Sequence, residues 1–491
     1  MSALSTFLST TNYIADIVTV IVIADVIALF LLLFLERYDP RTFLAWLILL
    51  TFLPPVGFIL YMYMGIAIYN KSQFKPKSLT DNQMMDAYQY QRNILENDAK
   101  TYGETEAVRL ARTMASAGAW AYTNGNDVKL YTEGKPMMDD MFDSFRDARK
   151  SILIEYYIIR NDKRGNEMMQ ILTQKVREGV EVRLLTDGFG IGKGPKEGIY
   201  RFINAGGHYG MFHSGWTLML SPKKNNRNHR KIAIIDGKEA YCGGFNVGDE
   251  YEGFGPLGHW RDASVKVAGT GIVPLMVRFA TDWQYAKKRD ALRPLFDYID
   301  PSIMDVKGDV RMQVVSGGPD TMPSNPVQMQ YLSMIANAKN RLYITTPYLV
   351  PDDAMLIALQ NAARSGVDVR ILIPDKSDHI FMFWNNETFA NELMKAGVRV
   401  YRYNDGFIHE KVIIMDDGCL SVGSANMDNR SLTLNFETNV MVYSKELTSQ
   451  AAEQFMDDLD ISTEYSCEAF MDVNREVRVR RAISRMFKLL A

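Results

Sequence analysis

Cysteine is scarce in this chain, and the scarcity removes two explanations at once. Cys242, Cys419 and Cys467 are the only three in 491 residues. That is too few, and the wrong parity, for a disulfide framework, and no Cys-x-x-Cys pair or Cys/His cluster has zinc-site spacing. Reduced thiols in a cytosol-facing domain are expected. Excess positive charge is missing as well: the formal net charge is −3 and the pI is near 6.2. That is not the footprint of a protein that tracks nucleic acid, so no nucleic-acid partner is expected. Nor is the chain poor in apolar residues, at 47% hydrophobic and 11% aromatic, so it can bury several cores.

Residues 1–12 contain no Lys or Arg, which disfavours a cleaved signal peptide, whose start is positively charged. From Ile17 to Leu35, 15 of 19 residues are Val, Ile, Leu or Phe, roughly the length that crosses a bilayer core of about 30 Å as a helix. Asp25 inside this run costs roughly 2.5–3.5 kcal/mol, while fifteen such apolar residues contribute roughly −4.5 to −9 kcal/mol, so insertion wins. Thr42 to Gly65 is a second, uncharged run of 24 residues, interrupted by Pro54-Pro55 and joined to the first by ERYDPR. The expectation is a two-helix transmembrane hairpin within residues 1–70, with spans at 13–35 and 42–65. It makes the protein a multi-pass protein of the cell membrane. The loop charges, Arg37 and Arg41 against Lys71, Lys75 and Lys77, say little about orientation.

Residues 71–115 are polar and read as a linker with some helix. A pattern then occurs twice. SILIEYYII, NEMMQILTQKVREG and VEVRLLTD give strand, helix, strand, and RLYITTPYL, DAMLIALQNAARSG and VDVRILIPD repeat that order. Short apolar strands alternating with amphipathic helices predict an α/β fold of two homologous lobes, residues 116–300 and 301–470, each a parallel-rich mixed sheet flanked by helices. A shared cleft between the halves is a natural site. The last segment, 471–491, is a basic amphipathic helix with apolar positions 479, 482, 483, 486, 487 and 490 on one face and Arg478, Arg481, Arg485 and Lys488 away from it. Anionic headgroups and the protein's own core are both suitable supports.

The duplication extends to a set of polar residues. NHRKIAIIDGKEAYCGGFN contains His229, Lys231, Asp236 and Asn246, and IHEKVIIMDDGCLSVGSAN contains His409, Lys411, Asp416 and Asn426 at identical offsets, 180 residues later. On a strand, residues two apart share a face, so His229 lies beside Lys231 and His409 beside Lys411, whereas Asp236 and Asp416, seven from their histidines, point to the other face. An ammonium beside an imidazole suits an anionic substrate such as a phosphate, neutralising it while the ring attacks or exchanges protons. The asparagine amides add neutral donors, and the two aspartates fit a role in holding the loop. His208, His213 and His379 lie outside the motifs, and His259, beside Trp260, is placed to line a cleft.

These residues resemble the paired HKD motifs of the phospholipase D superfamily. With the two amino-terminal apolar runs, the segments FLAWLILLTFLPPVGFILYMYMG, HWRD, GGFNVGDEY and GSANMDNRSLTLNFE are similar to the bacterial cardiolipin synthases within it. The resemblance implies two phospholipase D-like lobes and a membrane-bound phosphatidyltransferase whose anionic phospholipid substrate is phosphatidylglycerol, with no cofactor and no metal. It implies that His229 attacks phosphorus, forming a phosphohistidine, and that His409 is general acid and base. Lys231, Lys411, Asn246 and Asn426 would hold the nonbridging oxygens, with Asp236 and Asp416 completing the motif. Asp262 and Glu437, 33 and 28 residues past their histidines, would orient those rings, and the catalytic domain would be cytoplasmic. GGFN in the first half against GSAN in the second removes a hydroxyl, so the halves are expected to differ in phosphate contact. A hydrolytic phospholipase D or another superfamily phosphodiesterase is the nearest alternative, and an inactive membrane scaffold is the non-enzymatic one.

Overall fold

The computed structural model describes residues 93–101, 105–117, 122–213, 226–287, 289–321, 325–378, 380–471, 473 and 475–486, together with 16, 17, 19, 20, 22–24, 26, 27, 29, 40–53, 56, 57 and 61 near the amino terminus. Phe74–Phe212 with Asn226–Ala491 forms one compact unit, and Met1–Gln73 with His213–Asn225 another. Of the expected membrane spans, 13 of the 23 residues of the first and 9 of the 24 of the second lie outside the described residues. In the smaller unit a helix is described at Pro40–Phe52, and among the described residues no helix is long and apolar enough to cross a membrane.

Strands of the large unit, in chain order, are β1 (Tyr122–Tyr131), β2 (Ser151–Tyr156), β3 (Glu181–Asp187), β4 (His208–Phe212), β5 (Lys231–Ile235), β6 (Glu239–Gly243), β7 (Trp260–Arg261), β8 (Ser264–Ala268) and β9 (Val310–Gly317). They continue with β10 (Arg341–Thr345), β11 (Leu349–Val350), β12 (Asp368–Pro374), β13 (Arg399–Tyr403), β14 (Phe407–Ile408), β15 (Val412–Met415), β16 (Cys419–Gly423), β17 (Met427–Asp428), β18 (Glu437–Tyr443) and β19 (Ser462–Tyr465). Fifteen of these form one continuous sheet in the order β19-β13-β12-β10-β15-β16-β18-β9-β1-β8-β6-β5-β2-β3-β4. Read outward from the central β9–β1 pair, the two sides repeat each other strand for strand, and β19 is an addition at one edge. The halves are thus fused, with the antiparallel pairing of β1 to β9 as the seam.

The expectation of parallel-rich sheets does not hold. Pairing is parallel in β2–β3–β4 and β10–β12–β13 and antiparallel elsewhere in the sheet, including β2–β5, β5–β6, β6–β8 and their counterparts. The reason is the connection: a helical crossover such as Lys163–Arg177 returns the chain in the same sense, while the tight Asp236-Gly237 hairpin reverses it. Helices Ile272–Ala286 and Lys445–Asp460 cover one sheet face through Leu275, Phe279, Trp283, Ala451 and Phe455, in a core that runs through both halves. The other face is covered separately in each half. Two-sided burial explains why β2, β5 and β15 are mainly apolar along their inner length, Glu155 of β2 excepted, and carry every residue buried.

Ile94, Leu95, Leu110, Ala111 and Met114, from the stretch read as a linker, sit in the core of the second half. In the carboxyl-terminal helix, Arg475–Met486, two described side chains depart from the arrangement that the apolar spacing suggested. Arg481 is buried and its Nε donates to Glu387 Oε2 at 2.8 Å, while Val479 is exposed. Glu387 is itself buried, and a buried carboxylate needs a cation more than the core needs one valine. Positions 487 and 490 lie outside the described residues.

Candidate active site

The strands carrying the two motifs are placed by hairpins. Asp236 adopts φ 51° and Gly237 φ 64°, and Lys238 N–H donates to Ile235 O at 2.9 Å: a turn with two left-handed residues, which Asp-Gly forms readily. Asp236 Oδ1 accepts from the backbone of Lys150 (2.7 Å) and Ser151 (2.8 Å), and Oδ2 from Arg149 (2.8 Å). Asp416, at φ 49°, does the same for Lys339, Asn340 and Arg341. Each aspartate therefore clamps the start of the central parallel strand, β2 or β10. His229 lies beyond the opposite end of β5, where Lys231 pairs with Tyr156 at the close of β2. Seven residues of strand separate Asp236 from His229 by about 20 Å, so neither aspartate reaches the histidine of its own motif.

At that opposite end the halves exchange partners. His229 N–H donates to Phe436 O at 2.9 Å, and His409 N–H to Arg261 O at 2.7 Å. β14 runs parallel to β7, pairing Phe407 with Trp260 and Ile408 with Arg261, and Asn228 bridges to Phe436 in the same sense. Phe436 and Arg261 are the residues immediately before Glu437 and Asp262, so this pairing delivers each acid to the other half's histidine. His229 Nδ1 lies 3.0 Å from Glu437 Oε2 and 3.1 Å from Ser424 O, and His409 Nδ1 lies 2.6 Å from Asp262 Oδ2. The expectation that each acid serves the histidine preceding it in its own half is corrected: the partners lie 208 and 147 residues apart.

The geometry fixes a tautomer. Both neighbours of His229 Nδ1 are acceptors, and a carbonyl oxygen cannot donate, so Nδ1 carries the proton and Nε2 presents its lone pair. Burial holds the His229 pKa below the usual histidine range, reinforced by Lys231 and Lys411 and opposed by Glu437. His409 is pushed down to about 4 by burial and then by Lys411, against Asp262. Both shifts favour the neutral ring. Lys231 Nζ donates to His229 O at 2.6 Å and burial pushes it down to about 7. Lys411 reaches Asp262 Oδ2 at 3.4 Å and is also lowered by burial. Lys231 and Lys411 each feel both Asp262 and Glu437, so the two motifs make one electrostatic site. The two carboxylates face the rings, and the two lysines are the groups suited to an anion.

The asparagines are not equivalent. Asn246 is engaged at both ends, accepting from Ile158 N–H at 3.2 Å and donating to the Tyr251 hydroxyl at 3.0 Å. Asn426 has its side-chain oxygen buried without a partner, and its backbone N–H donates to Ser431 Oγ at 3.3 Å. The expected hydroxyl difference between the GGFN and GSAN segments has another explanation than phosphate contact. Ser424 donates to Glu437 Oε2, whereas a Cβ at the matched Gly244 would stand 1.9 Å from Asp262 Oδ1. The longer acid is braced by a serine; the shorter one occupies the space a serine would need.

Arg230, fully buried between His229 and Lys231, was not singled out in the sequence. It donates to Glu437 O (3.2 Å), Thr438 Oγ1 (3.0 Å), Gly317 O (3.2 Å) and Asp282 Oδ2 (2.6 Å). Its counterpart Glu410 instead faces Arg261 at 3.1 Å. The signal available was an arginine immediately before an apolar strand, which has to be paired when buried. Of the remaining histidines, His208 pairs with Asp290 (2.9 Å) and His259 with Glu133 (3.0 Å), while His379 lies outside the described residues.

The family model for the cardiolipin synthase PLD-like domain matches residues 141–252 and 331–459, so each half is a PLD-like domain. Over 462 residues the chain is 39% identical to a cardiolipin synthase of Clostridium perfringens (strain 13 / Type A), covering 92% of this chain and 94% of that one. It is 37% identical over 470 residues to a cardiolipin synthase of Staphylococcus aureus (strain Mu50), covering 94% of each. The chain belongs to the cardiolipin synthase family. Its fold is also that of a phosphatidylserine synthase from Haemophilus influenzae Rd KW20, with a TM-score of 0.58 at 13% identity over 78% of this chain and 98% of that one.

Proposed function

We propose that the protein transfers a phosphatidyl group from one phosphatidylglycerol to another, giving cardiolipin and glycerol by way of a phosphohistidine. His229 Nε2 attacks phosphorus while the bond to the glycerol oxygen breaks, and His409 Nε2–H delivers the proton that oxygen needs. The anionic phosphodiester favours that proton: its charge beside His409 offsets the burial that keeps the empty-site ring neutral. In the second step the terminal hydroxyl of another phosphatidylglycerol gives its proton to His409 and its oxygen bonds to phosphorus. The P–Nε2 bond then breaks, and its electron pair returns to His229. Lys231, Lys411 and Asn426 hold the nonbridging oxygens, while Asn246, engaged with Ile158 and Tyr251, positions Tyr251 beside His409. Asp236 and Asp416 keep the motif strands in register. Residues 13–35 and 42–65 anchor the enzyme in the membrane where its substrate lies, with the catalytic unit in the cytoplasm.

The observation that supports this most is that each Nδ1 meets a carboxylate of the opposite half, Glu437 at His229 and Asp262 at His409, where Lys411 Nζ also stands 2.7 Å from Nδ1, which leaves Nε2 of each ring for the ligand. Purified full-length protein given phosphatidylglycerol liposomes should release glycerol in equal amount to cardiolipin, and His229→Ala should lose at least about 10³-fold in rate. Phosphatidic acid as the sole lipid product would establish a hydrolase instead, and full activity in His229→Ala would remove that residue as nucleophile.

A further inference from the structure

The duplicated halves allow each position around one histidine to be compared with its match around the other, and the comparison is lopsided. Two residues before Asp262 stands Trp260; two before Glu437 stands Asn435. Two residues before His409 stands Phe407; two before His229 stands Arg227. Five residues after Asn246 stands Tyr251; five after Asn426 stands Ser431. The strand pairing makes these true matches: Phe407 pairs with Trp260, and one residue on, Asn228 bridges to Phe436 as Ile408 does to Arg261. At all three positions the residue on the His409 side is aromatic and the one on the His229 side is polar.

The aromatic three surround His409. Ring centroids lie 5.4 Å from it for Trp260, 5.8 Å for Phe407 and 6.5 Å for Tyr251, and the three also touch one another, Trp260 with Phe407 at 4.6 Å and Tyr251 with Trp260 at 5.6 Å. Phe407 and Tyr251 are fully buried. The Tyr251 hydroxyl already accepts from Asn246, and Trp260 Nε1 is buried without a partner. His229 has Tyr157 edge-on at 4.9 Å, and the positions matching the aromatic wall are occupied by groups that hydrogen-bond: Asn435 donates to Glu437 Oε1 at 3.2 Å and Ser431 accepts from Asn426 N–H.

Resting on the transfer chemistry proposed above, the geometry points to Trp260, Phe407 and Tyr251 as the residues that decide between an alcohol and water as acceptor. In the second step any O–H that reaches His409 can lose its proton there and attack phosphorus. A lipid hydroxyl then gives cardiolipin, and water gives phosphatidic acid, with the same bond to His229 broken. The choice depends on which O–H is stable beside His409. A water against the partly exposed Trp260, packed on the fully buried Phe407 and Tyr251, meets mainly ring carbon and few of the two to four polar partners it requires, whereas the carbons of a glycerol headgroup lie favourably on the indole while its terminal hydroxyl points at the imidazole.

The test is a product ratio, which a general loss of activity does not move. Full-length Trp260→Asn, which installs the residue found at the matched position, is given phosphatidylglycerol liposomes, and phosphatidic acid and cardiolipin are quantified together. The expected result is a rise of about tenfold or more in the ratio of phosphatidic acid to cardiolipin, with Trp260→Phe retaining the wild-type ratio. A ratio unchanged in Trp260→Asn overturns the inference even if turnover falls. Should that variant not turn over, Tyr251→Phe and Phe407→Ser are measured in the same way, and an unchanged ratio in Phe407→Ser is equally decisive. Wild-type protein making phosphatidic acid alone would instead overturn the transferase reading and leave the wall without a choice to make.

Discussion

At the scale of single residues, the site is governed by what burial does to charge. Lys231 is 1% exposed, and loss of solvation lowers its pKa to about 7, so the empty site is on the edge of losing one of the two cations that receive the phosphate. Taking an anionic substrate restores the ammonium, and above that pKa binding requires uptake of a proton. kcat/KM, which reports the free enzyme, should therefore fall as pH rises through about 7, and Lys231→Arg should move that limb upward by about two units or more, since guanidinium stays charged. A limb that stays put in Lys231→Arg assigns the titration to another group. The acid limb should lie below the ordinary histidine range, because the depressed His229 pKa keeps its lone pair available. Lys231, His229 and their second copies were legible in the sequence from their doubled spacing alone. Arg230 was not, since an unpaired reading of one strand gives no hint of Asp282, 52 residues away.

At the scale of elements, the two motif aspartates belong to turns rather than to the phosphate. Asp236 holds three backbone N–H groups while sitting in a left-handed conformation that most side chains resist. Asp236→Ala removes both contributions and should cost about 3 kcal/mol of stability, whereas Asp236→Asn keeps one acceptor and the tolerance for positive φ and should cost about 1 kcal/mol. Unfolding in denaturant of the two variants measures this. Equal losses in both, or lost activity at undiminished stability, would reassign the residue to the chemistry. Element types were well marked by periodicity, yet strand sense was not: apolar runs of four to seven residues look alike in parallel and antiparallel neighbours buried on both faces. β1 was missed because Asn-Gly-Asn-Asp interrupts it; Gly125 takes φ 68° there, and the register with β9 shifts between Thr123 and Asn126.

At the scale of the whole large unit, the sheet that fuses the halves also exchanges their acids. Asp262→Asn should perturb His409 and leave the His229 tautomer alone, and Glu437→Gln should do the reverse. Nitrogen chemical shifts of the histidine rings in each variant read this directly, and each substitution should lower turnover by about 10³- to 10⁴-fold, as expected when the group behind a catalytic imidazole no longer fixes its proton. Shifts that changed within the same half as the substitution would contradict the exchange. The reciprocal arrangement makes each half incomplete without the other, which is a physical reason for both motifs to reside in one chain.

The sequence by itself determined the duplication, the residue types at the centre and their spacing, because a repeated pattern along one strand survives any uncertainty about tertiary placement. Which acid meets which histidine was decided only by the fold. Backbone pairing between Phe436 and Asn228 and between Arg261 and Ile408 crosses from one half to the other, and contacts at such separations leave no local signature. The same holds for the aromatic and polar flanks of the two histidines, whose contrast exists only once the pseudo-symmetric partners are superposed in space.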